Sequence, residues 1–466
     1  MQLGDIFDDE DFDVVTASVE VERVEIDSRQ CVFPSLFFAV PGAHVDGANF
    51  VRDAIDHGAV AVVATRAMDV PVPVVVIPAS RLYGTLTHAS AAVSGHPEVG
   101  ATLVGVTGTN GKTSVTALVA DLARALGWNG ASVGTLDGER TTPAAPELYR
   151  SLARVRASFA PDRAPSVIAL EVSSHALAQH RVEGSRFAVV AFTNLSHDHL
   201  DYHRSMEEYY AAKRRLFEAD FSSRAVIWVD DPYGERLARE TSLNVVAVSR
   251  HDALDAVTSL SGTTFFWRGH LVNTRLIGDY NIDNALVAMS IVAHLGAGDA
   301  EVAAAMAQVN AVAGRFEVVH HGEVTVIVDY AHTPQGLERL LRSVRALSSG
   351  RVLTVFGCGG DRDAAKRPMM GRVATELSDV TIVTSDNPRH ESPDDIIDAI
   401  IAGAVATADV LREVDRRAAI ALAMAHARAG DVVVVAGKGH ETTQTFGDRV
   451  VEFDDRQVVG ELVRGH

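Results

Sequence analysis

Cysteine is nearly absent: Cys31 and Cys358 are the only two in 466 residues. They lie far apart in sequence, so neither a disulfide framework nor a cysteine metal knuckle is available, and reduced thiols are expected. Aromatic residues amount to 6%, and no apolar stretch approaches the ~20 residues that a membrane helix needs, so membrane insertion is not expected. Positive charge is in deficit, with 42 Lys+Arg against 61 Asp+Glu and a net charge of −19. Such a chain repels nucleic acid and anionic membranes in general, so any anionic ligand must be held by local basic clusters. The N-terminal Met1-Gln2-Leu3-Gly4-Asp5 lacks both a basic n-region and an apolar h-region, which argues against secretion and for a cytoplasmic location. No repeat of fixed period and no low-complexity tract is present, which sets aside solenoids and arrays.

What is present is ordinary globular material, 47% apolar and 22% charged, long enough for two to four domains with ample core. The first hundred residues alternate short β-rich runs (59–63, 72–77) with amphipathic stretches. They end at the linker-like Ser94-Gly95-His96-Pro97, which marks off residues 1–97. From 98 to 313, β-branched runs alternate with helical patterns, the signature of βαβ units and a parallel sheet covered on both faces. Residues 314–466 repeat that alternation, with strands expected at 324–328, 352–356, 380–383 and 431–435. The expected fold class is α/β in three domains.

The polar motifs follow the C-terminal ends of the expected strands. Six such junctions occur: Gly108–Thr113, Glu171–His175, Thr193-Asn194, Asp329–His332, Asp386–Arg389 and Gly437–Glu441. Open parallel sheets bind ligands along that edge, so two sheets facing a shared cleft are expected. Gly108-Thr109-Asn110-Gly111-Lys112-Thr113-Ser114, between a strand and a helix over 114–126, supplies what a nucleoside triphosphate needs. It offers close backbone approach, N–H groups at a helix start, a cation in Lys112 and a hydroxyl for Mg²⁺ in Thr113. The spacing departs from the strict G-x₄-G-K-[ST] pattern, because Val106 stands five before Gly111. A tight glycine turn without phosphate is the plainer alternative.

Asn194–His203 contains His197, His199 and His203, which offer zinc ligands at plausible spacing. A metallohydrolase is therefore a second functional class to weigh, although it leaves the phosphate loop unexplained. The bland alternative is a solvated loop whose histidines cap the following helix, expected over 206–217.

Together these motifs, with Gln179 and Arg181, Asn281–Asn284, Gly314–Glu317 and Gly359–Pro368, resemble the Mur ligase family over essentially the whole chain. Within it the resemblance is to the branch that adds the third residue of the peptidoglycan stem peptide, a step of cell-wall synthesis serving cell shape and division. It implies a smaller N-terminal α/β domain, a central P-loop domain and a C-terminal Rossmann-like domain. The implied reaction is ATP- and Mg²⁺-dependent: the γ-phosphate activates the D-glutamate carboxylate of UDP-MurNAc-L-Ala-D-Glu, and an incoming amine displaces phosphate from the acyl-phosphate. By resemblance, Thr113 and Glu171 ligate one magnesium, His199 contacts a second, and Lys213 is carbamylated to help hold it. Asn281 and Asn284 match adenine contacts, while Arg315, Asp329 and His332 match the third domain's contacts to ATP. Ser28, Arg29 and His44 match the uridine segment, and Thr141, Thr142, Ser173, Gln179 and Arg181 the muramoyl-peptide contacts. Asp386, Asn387 and Arg389, with Arg362, Gly437 and Glu441, match the amino-acid pocket of the meso-diaminopimelate enzymes. There Arg389 pairs with the distal carboxylate that lysine lacks. A monomer is expected, and a paralogous amide ligase joining other partners is the alternative within the family.

Overall fold

The computed structural model describes residues 1–7, 14–42, 45–135, 141–161 and 164–464. Strands β1 (Arg23–Glu25), β2 (Ser35–Phe38), β3 (Ala59–Ala64) and β4 (Val74–Val76) form a small parallel sheet in sequential order. Its core joins Leu36, Phe38, Ala61 and Val63 to the helix Leu82–Val93 through Leu82, Leu86 and Ala89.

The second sheet uses β5 (Thr102–Thr107), β6 (Asn129–Val133), β7 (Ser166–Glu171), β8 (Val189–Phe192), β9 (Arg224–Trp228) and β10 (Asn244–Val248). They are all parallel, in the order β10-β9-β8-β5-β7-β6. β7 and β8 are buried along their whole length, as expected of strands covered on both faces. One face packs on helices Lys112–Ala125 and Asp279–His294, where Val115, Leu118, Leu286 and Met289 share a core with Val104 and Val106. The other packs Leu148, Leu152, Tyr209 and Tyr210 against Ile168, Leu170 and Val190.

The short runs of 254–274 are not part of the expected alternation. They form an antiparallel meander, β11 (Leu254–Ser259), β12 (Gly262–Trp267) and β13 (His270–Thr274). Phe265 and Trp267 face the core while Thr264 and Phe266 face outward, the period-2 pattern of a half-buried sheet.

The third sheet runs β14 (Glu317–His321), β15 (Thr325–Asp329), β16 (Val352–Phe356), β17 (Val380–Val383), β18 (Val410–Arg412) and β19 (Val432–Ala436), in the order β14-β15-β19-β16-β17-β18. It is parallel except for β14, which hairpins antiparallel onto β15 through the short 322–324 connection. A hairpin β20 (Thr443–Phe446) and β21 (Arg449–Glu452) follows. Among the described residues no helix is long and apolar enough to cross a membrane.

Candidate active site

All six junctions open on one cleft of about 550 Å³ between the second and third sheets. The phosphate loop forms its floor. Gly108 has φ +153° and Gly111 φ +87°. A Cβ on the first would strike the Thr193 hydroxyl and one on the second the Asn284 carboxamide, so only glycine fits both. The loop is tied to the end of β8. Thr109 N–H donates to the Asn194 carbonyl at 2.8 Å, Asn110 N–H donates to Asn194 Oδ1 at 3.1 Å, and the Thr193 hydroxyl and Asn194 Nδ2 both donate to the Asn110 carbonyl. Ser114 lies just inside the helix start, and it lines the cleft with Thr109, Asn110 and Thr113.

Two lysines converge on one carbonyl of this loop. Lys112 Nζ donates to Gly108 O and Thr109 O, both at 2.8 Å, and Lys213 Nζ donates to Gly108 O at 2.7 Å. Lys213, on the helix Met206–Arg214, is 1% exposed. Burial first, and then the neighbouring Lys112, hold its amine well below the ordinary lysine range. Lys112 is also lowered, chiefly by burial, with Glu171 opposing. The helix expected over 206–217 ends in a 3₁₀ turn at Arg215–Phe217.

Glu171 ends β7 facing the loop. Its carboxylate accepts from the Thr113 hydroxyl at 2.9 Å, Thr135 N–H at 2.8 Å and the Thr135 hydroxyl at 3.2 Å. Burial pushes its carboxyl up, opposed by Lys112 and by the Thr135 and Thr113 hydrogen bonds. A buried carboxylate beside a hydroxyl, at the mouth of a phosphate-type loop, is a hard-oxygen donor set that suits Mg²⁺.

The three histidines of the 194–203 loop do not gather as zinc ligands. His203 is buried, stacked on Tyr209 and hydrogen-bonded to the Ser174 hydroxyl at 2.9 Å. His197 faces Asp363 across the cleft at 3.9 Å. His199, at φ +54°, lies 3.5 Å from Asp198 and edge-on to His175. Among the described residues no group of three His, Cys, Asp or Glu could hold a metal ion, and His197, His199 and His203 do not form the zinc site of a metallohydrolase. Burial, with Asp198 opposing and His175, Lys112 and Lys213 assisting, draws His199 down to about 4.

Beside Glu171, a polar chain leads away from the loop. Thr142 donates to the Glu171 carbonyl and accepts from Ser173 N–H. Ser173 caps the helix Ser174–Ala178, Arg181 donates to the Thr142 carbonyl at 2.7 Å and to Gln179 Oε1 at 2.6 Å, and Thr141 meets Thr135 at 3.2 Å. Ser28 and Arg29 lie in a short 3₁₀ turn of the first sheet's region, Ser28 buried and Arg29 exposed and paired with Asp27. Neither lines this cleft. His44 lies outside the described residues.

Asn284 lines the cleft beside Gly111, whereas Asn281 is buried with its amide donated to the Ile277 carbonyl at 2.8 Å. Across the cleft, the Arg315 guanidinium lies 4.1 Å over the Tyr330 ring. The Asp329 carboxylate accepts from Phe316 N–H, Ala331 N–H and the Tyr280 hydroxyl at 2.7–2.8 Å. Burial lowers His332, assisted by Lys366, and its Nδ1 lies 2.9 Å from the Tyr330 carbonyl.

At the far end, both signs of charge are presented side by side. Arg389, at φ +50°, donates to the Gly360 carbonyl at 2.7 Å. Burial and the neighbouring Arg362 both disfavour its charge. Asp386 and Glu441 line the same wall, and Gly437, which opens the loop that carries Glu441, lies against the Asp386 carboxylate. Asn387 Nδ2 donates to Glu441 Oε2 at 2.8 Å.

Sequence reasoning assigned no part to several groups that organise this site. Lys438 is fully buried and contacts Asn387 and Glu441. Arg416, paired bidentately with Asp455 and equally buried, donates to the carbonyls of Ser385 and Ala436, which precede the loops that carry Asp386 and Glu441. Tyr280 bridges to Asp329. Thr193 and Asn194 were recognised as a strand-end junction without a role, and their position there was the available signal. For Arg416 and Asp455, far apart in sequence, there was none.

Comparison with known proteins agrees with this arrangement. Family models match in chain order: "Mur ligase family, catalytic domain" at 20–107, "Mur ligase middle domain" at 106–292 and "Mur ligase, glutamate ligase domain" at 314–439. A protein of Gloeobacter violaceus named UDP-N-acetylmuramoyl-L-alanyl-D-glutamate–2,6-diaminopimelate ligase is 42% identical, covering 96% of this chain and 94% of its own. A Geobacillus kaustophilus protein of the same name is 41% identical over 96% and 95%. A solved structure titled with that name superposes with a TM-score of 0.68 at 29% identity, covering 100% of this chain and 99% of the other. The MurF ligase of Thermotoga maritima in complex with ADP shares the fold, with a TM-score of 0.63 at 17% identity over 96% of each chain. The chain belongs to the Mur ligase family.

Proposed function

We propose that this protein is the ATP-dependent ligase that joins meso-diaminopimelate to UDP-MurNAc-L-Ala-D-Glu in the cytoplasm. The observation that carries the reading is the layout of the cleft. Two lysines meet at a glycine-rich phosphate loop at one end, and a paired cationic and anionic wall, Arg389 and Arg362 beside Asp386 and Glu441, stands at the other. Diaminopimelate carries an ammonium and a carboxylate at its distal end, and that wall complements both. Lysine has the ammonium alone. A charge-assisted contact from Arg389 to the distal carboxylate is worth roughly 1.5–3 kcal/mol, or about one to two orders of magnitude in preference over lysine.

The chemistry gathers negative charge. The D-glutamate carboxylate attacks the γ-phosphorus of ATP and ADP leaves. The amine of diaminopimelate then attacks the acyl carbon and phosphate leaves with the acyl C–O bond. Catalysis of such a transfer rests on positioning and on cations facing the phosphates. Lys112 and the N–H groups of Gly111–Ser114 serve the β- and γ-phosphates, while Asn284 and Arg315 border the nucleotide. Thr113 and Glu171 would hold one Mg²⁺, and His199 with a carbamylated Lys213 a second. Magnesium supplies neutralisation of the phosphate charge. The Thr142–Ser173–Gln179–Arg181 chain orients the D-glutamyl end of the first substrate.

The test is phosphate release from ATP and Mg²⁺ with UDP-MurNAc-L-Ala-D-Glu, comparing meso-diaminopimelate, L-lysine and no amino acid, with mass analysis of the product. A tripeptide is expected with diaminopimelate and not with lysine, and Arg389→Ala is expected to weaken diaminopimelate use by about 10- to 100-fold. ATP binding without tripeptide from either amino acid would sink the acceptor assignment and point to a paralogous amide ligase.

A further inference from the structure

Lys438 is 0% exposed, an uncommon state for a lysine, and it stands directly behind the acceptor wall. Its Nζ donates to the Thr443 carbonyl at 2.6 Å, to Glu441 Oε2 at 3.1 Å and, at 3.4 Å, to Asn387 Oδ1. Asn387 in turn donates Nδ2 to the same Glu441 Oε2 at 2.8 Å, and its Oδ1 also accepts Thr445 N–H at 3.0 Å. The three side chains close a ring whose Lys438 corner is fully buried, while Asn387 and Glu441 line the cleft. Glu441 Oε2 is thereby occupied by two donors. Oε1 has no partner among the described residues, and the Glu441 side chain, 31% exposed, lines the cleft.

We infer that Lys438 is a specificity-determining positioning residue: it fixes the Glu441 carboxylate so that a single oxygen, Oε1, is offered to the distal ammonium of the incoming amino acid. A carboxylate free to rotate would present either oxygen and would lose rotamer freedom on binding. Here that freedom is already spent in the folded protein. The buried cation also gives the Glu441 charge a partner before the acceptor arrives, so the carboxylate does not fold back onto Arg389 or Arg362. Lys438 itself lines no part of the cleft.

This inference rests on the acceptor reading proposed above, and the experiment separates the two. Wild type, Lys438→Met and Lys438→Gln are assayed with meso-diaminopimelate and with 2-aminopimelate, which keeps the distal carboxylate and lacks the distal ammonium. Wild type is expected to prefer diaminopimelate by at least tenfold in kcat/KM. In Lys438→Met the KM for diaminopimelate is expected to rise tenfold or more and the preference to collapse towards unity. The KM values for ATP and the UDP-linked substrate should stay within twofold. Lys438→Gln, which retains a donor to Asn387 and Glu441, should recover part of the preference. A wild type that makes no tripeptide refutes the acceptor reading. An active wild type whose preference survives in Lys438→Met overturns the inference alone, as does failure of both variants to fold, which would make the lysine purely structural.

Discussion

Lys213 shows how far a single residue's chemistry depends on its surroundings. In water only about 0.1% of a lysine of ordinary pKa is neutral near pH 7.4, too little to capture CO₂ readily. Here burial and the adjacent Lys112 shift the amine downward, so a much larger neutral fraction is available at neutral pH. With a lowered lysine pKa, the neutral, CO₂-reactive form persists to lower pH than in a free lysine. Activity is therefore expected to fall in CO₂-depleted buffer and to return on adding bicarbonate, already at pH 7. Labelled CO₂ should appear on Lys213 by carbon NMR, and Lys213→Ala should lose at least a hundredfold in kcat without responding to bicarbonate. An enzyme indifferent to CO₂ would refute the carbamate. The motif carrying Lys213 was legible in the sequence, but the lowered amine was not. It arises from contact with Gly108 and Lys112, about a hundred residues away in the chain.

At the scale of the element, the phosphate loop was the clearest feature of the sequence, because strand, glycines, lysine and hydroxyl occur in one short run. Its rigidity comes from elsewhere. Asn194, at the end of β8, accepts from two loop N–H groups and donates to a loop carbonyl. Asn194→Ala removes the side-chain half of that clamp and leaves the Asn110 N–H without its acceptor, while the Thr193 hydroxyl still holds the Asn110 carbonyl; the cost is about 1–3 kcal/mol. The KM for ATP is expected to rise roughly 5- to 100-fold, measured by steady-state kinetics, with the KM for the amino acid nearly unchanged. An equal rise for both substrates would mean that Asn194 supports the fold rather than the loop. The antiparallel β11–β13 meander and the reversed β14 were not legible as such. Short β-rich runs at the edge of a βαβ pattern carry no local mark of direction, which is set by the turn and by the neighbouring strand.

At the scale of the whole molecule, the helix that begins at Asp279 meets the C-terminal sheet across the cleft, where Tyr280 packs against the core around Phe316 and donates its hydroxyl to Asp329. Burial, and then Asp329, raise the Tyr280 phenol well above its ordinary range, so it remains a donor at every working pH. Tyr280→Phe removes this bridge while Phe316 and Ala331 N–H still hold the carboxylate. The loss of one hydrogen bond, about 1 kcal/mol, should lower kcat/KM several-fold for all three substrates alike if the contact favours closure of the cleft. Small-angle scattering should then show a smaller nucleotide-induced compaction than in wild type. A fall confined to ATP would instead make Tyr280 a local nucleotide contact.

Local patterns in the chain are enough to yield the α/β class, most of the parallel strands and the placing of six polar motifs at strand ends. Hydrophobic periodicity and glycine–polar punctuation are local properties that a chain carries unfolded. Long-range packing sets which histidines stand apart, that Asn284 lines the cleft while Asn281 turns to Ile277, and that Lys438 and Arg416 sit buried behind the loops that carry Asp386 and Glu441. A side chain's direction, burial and partner depend on residues tens to hundreds of positions away, brought close when the sheets pack, and no local pattern encodes that approach.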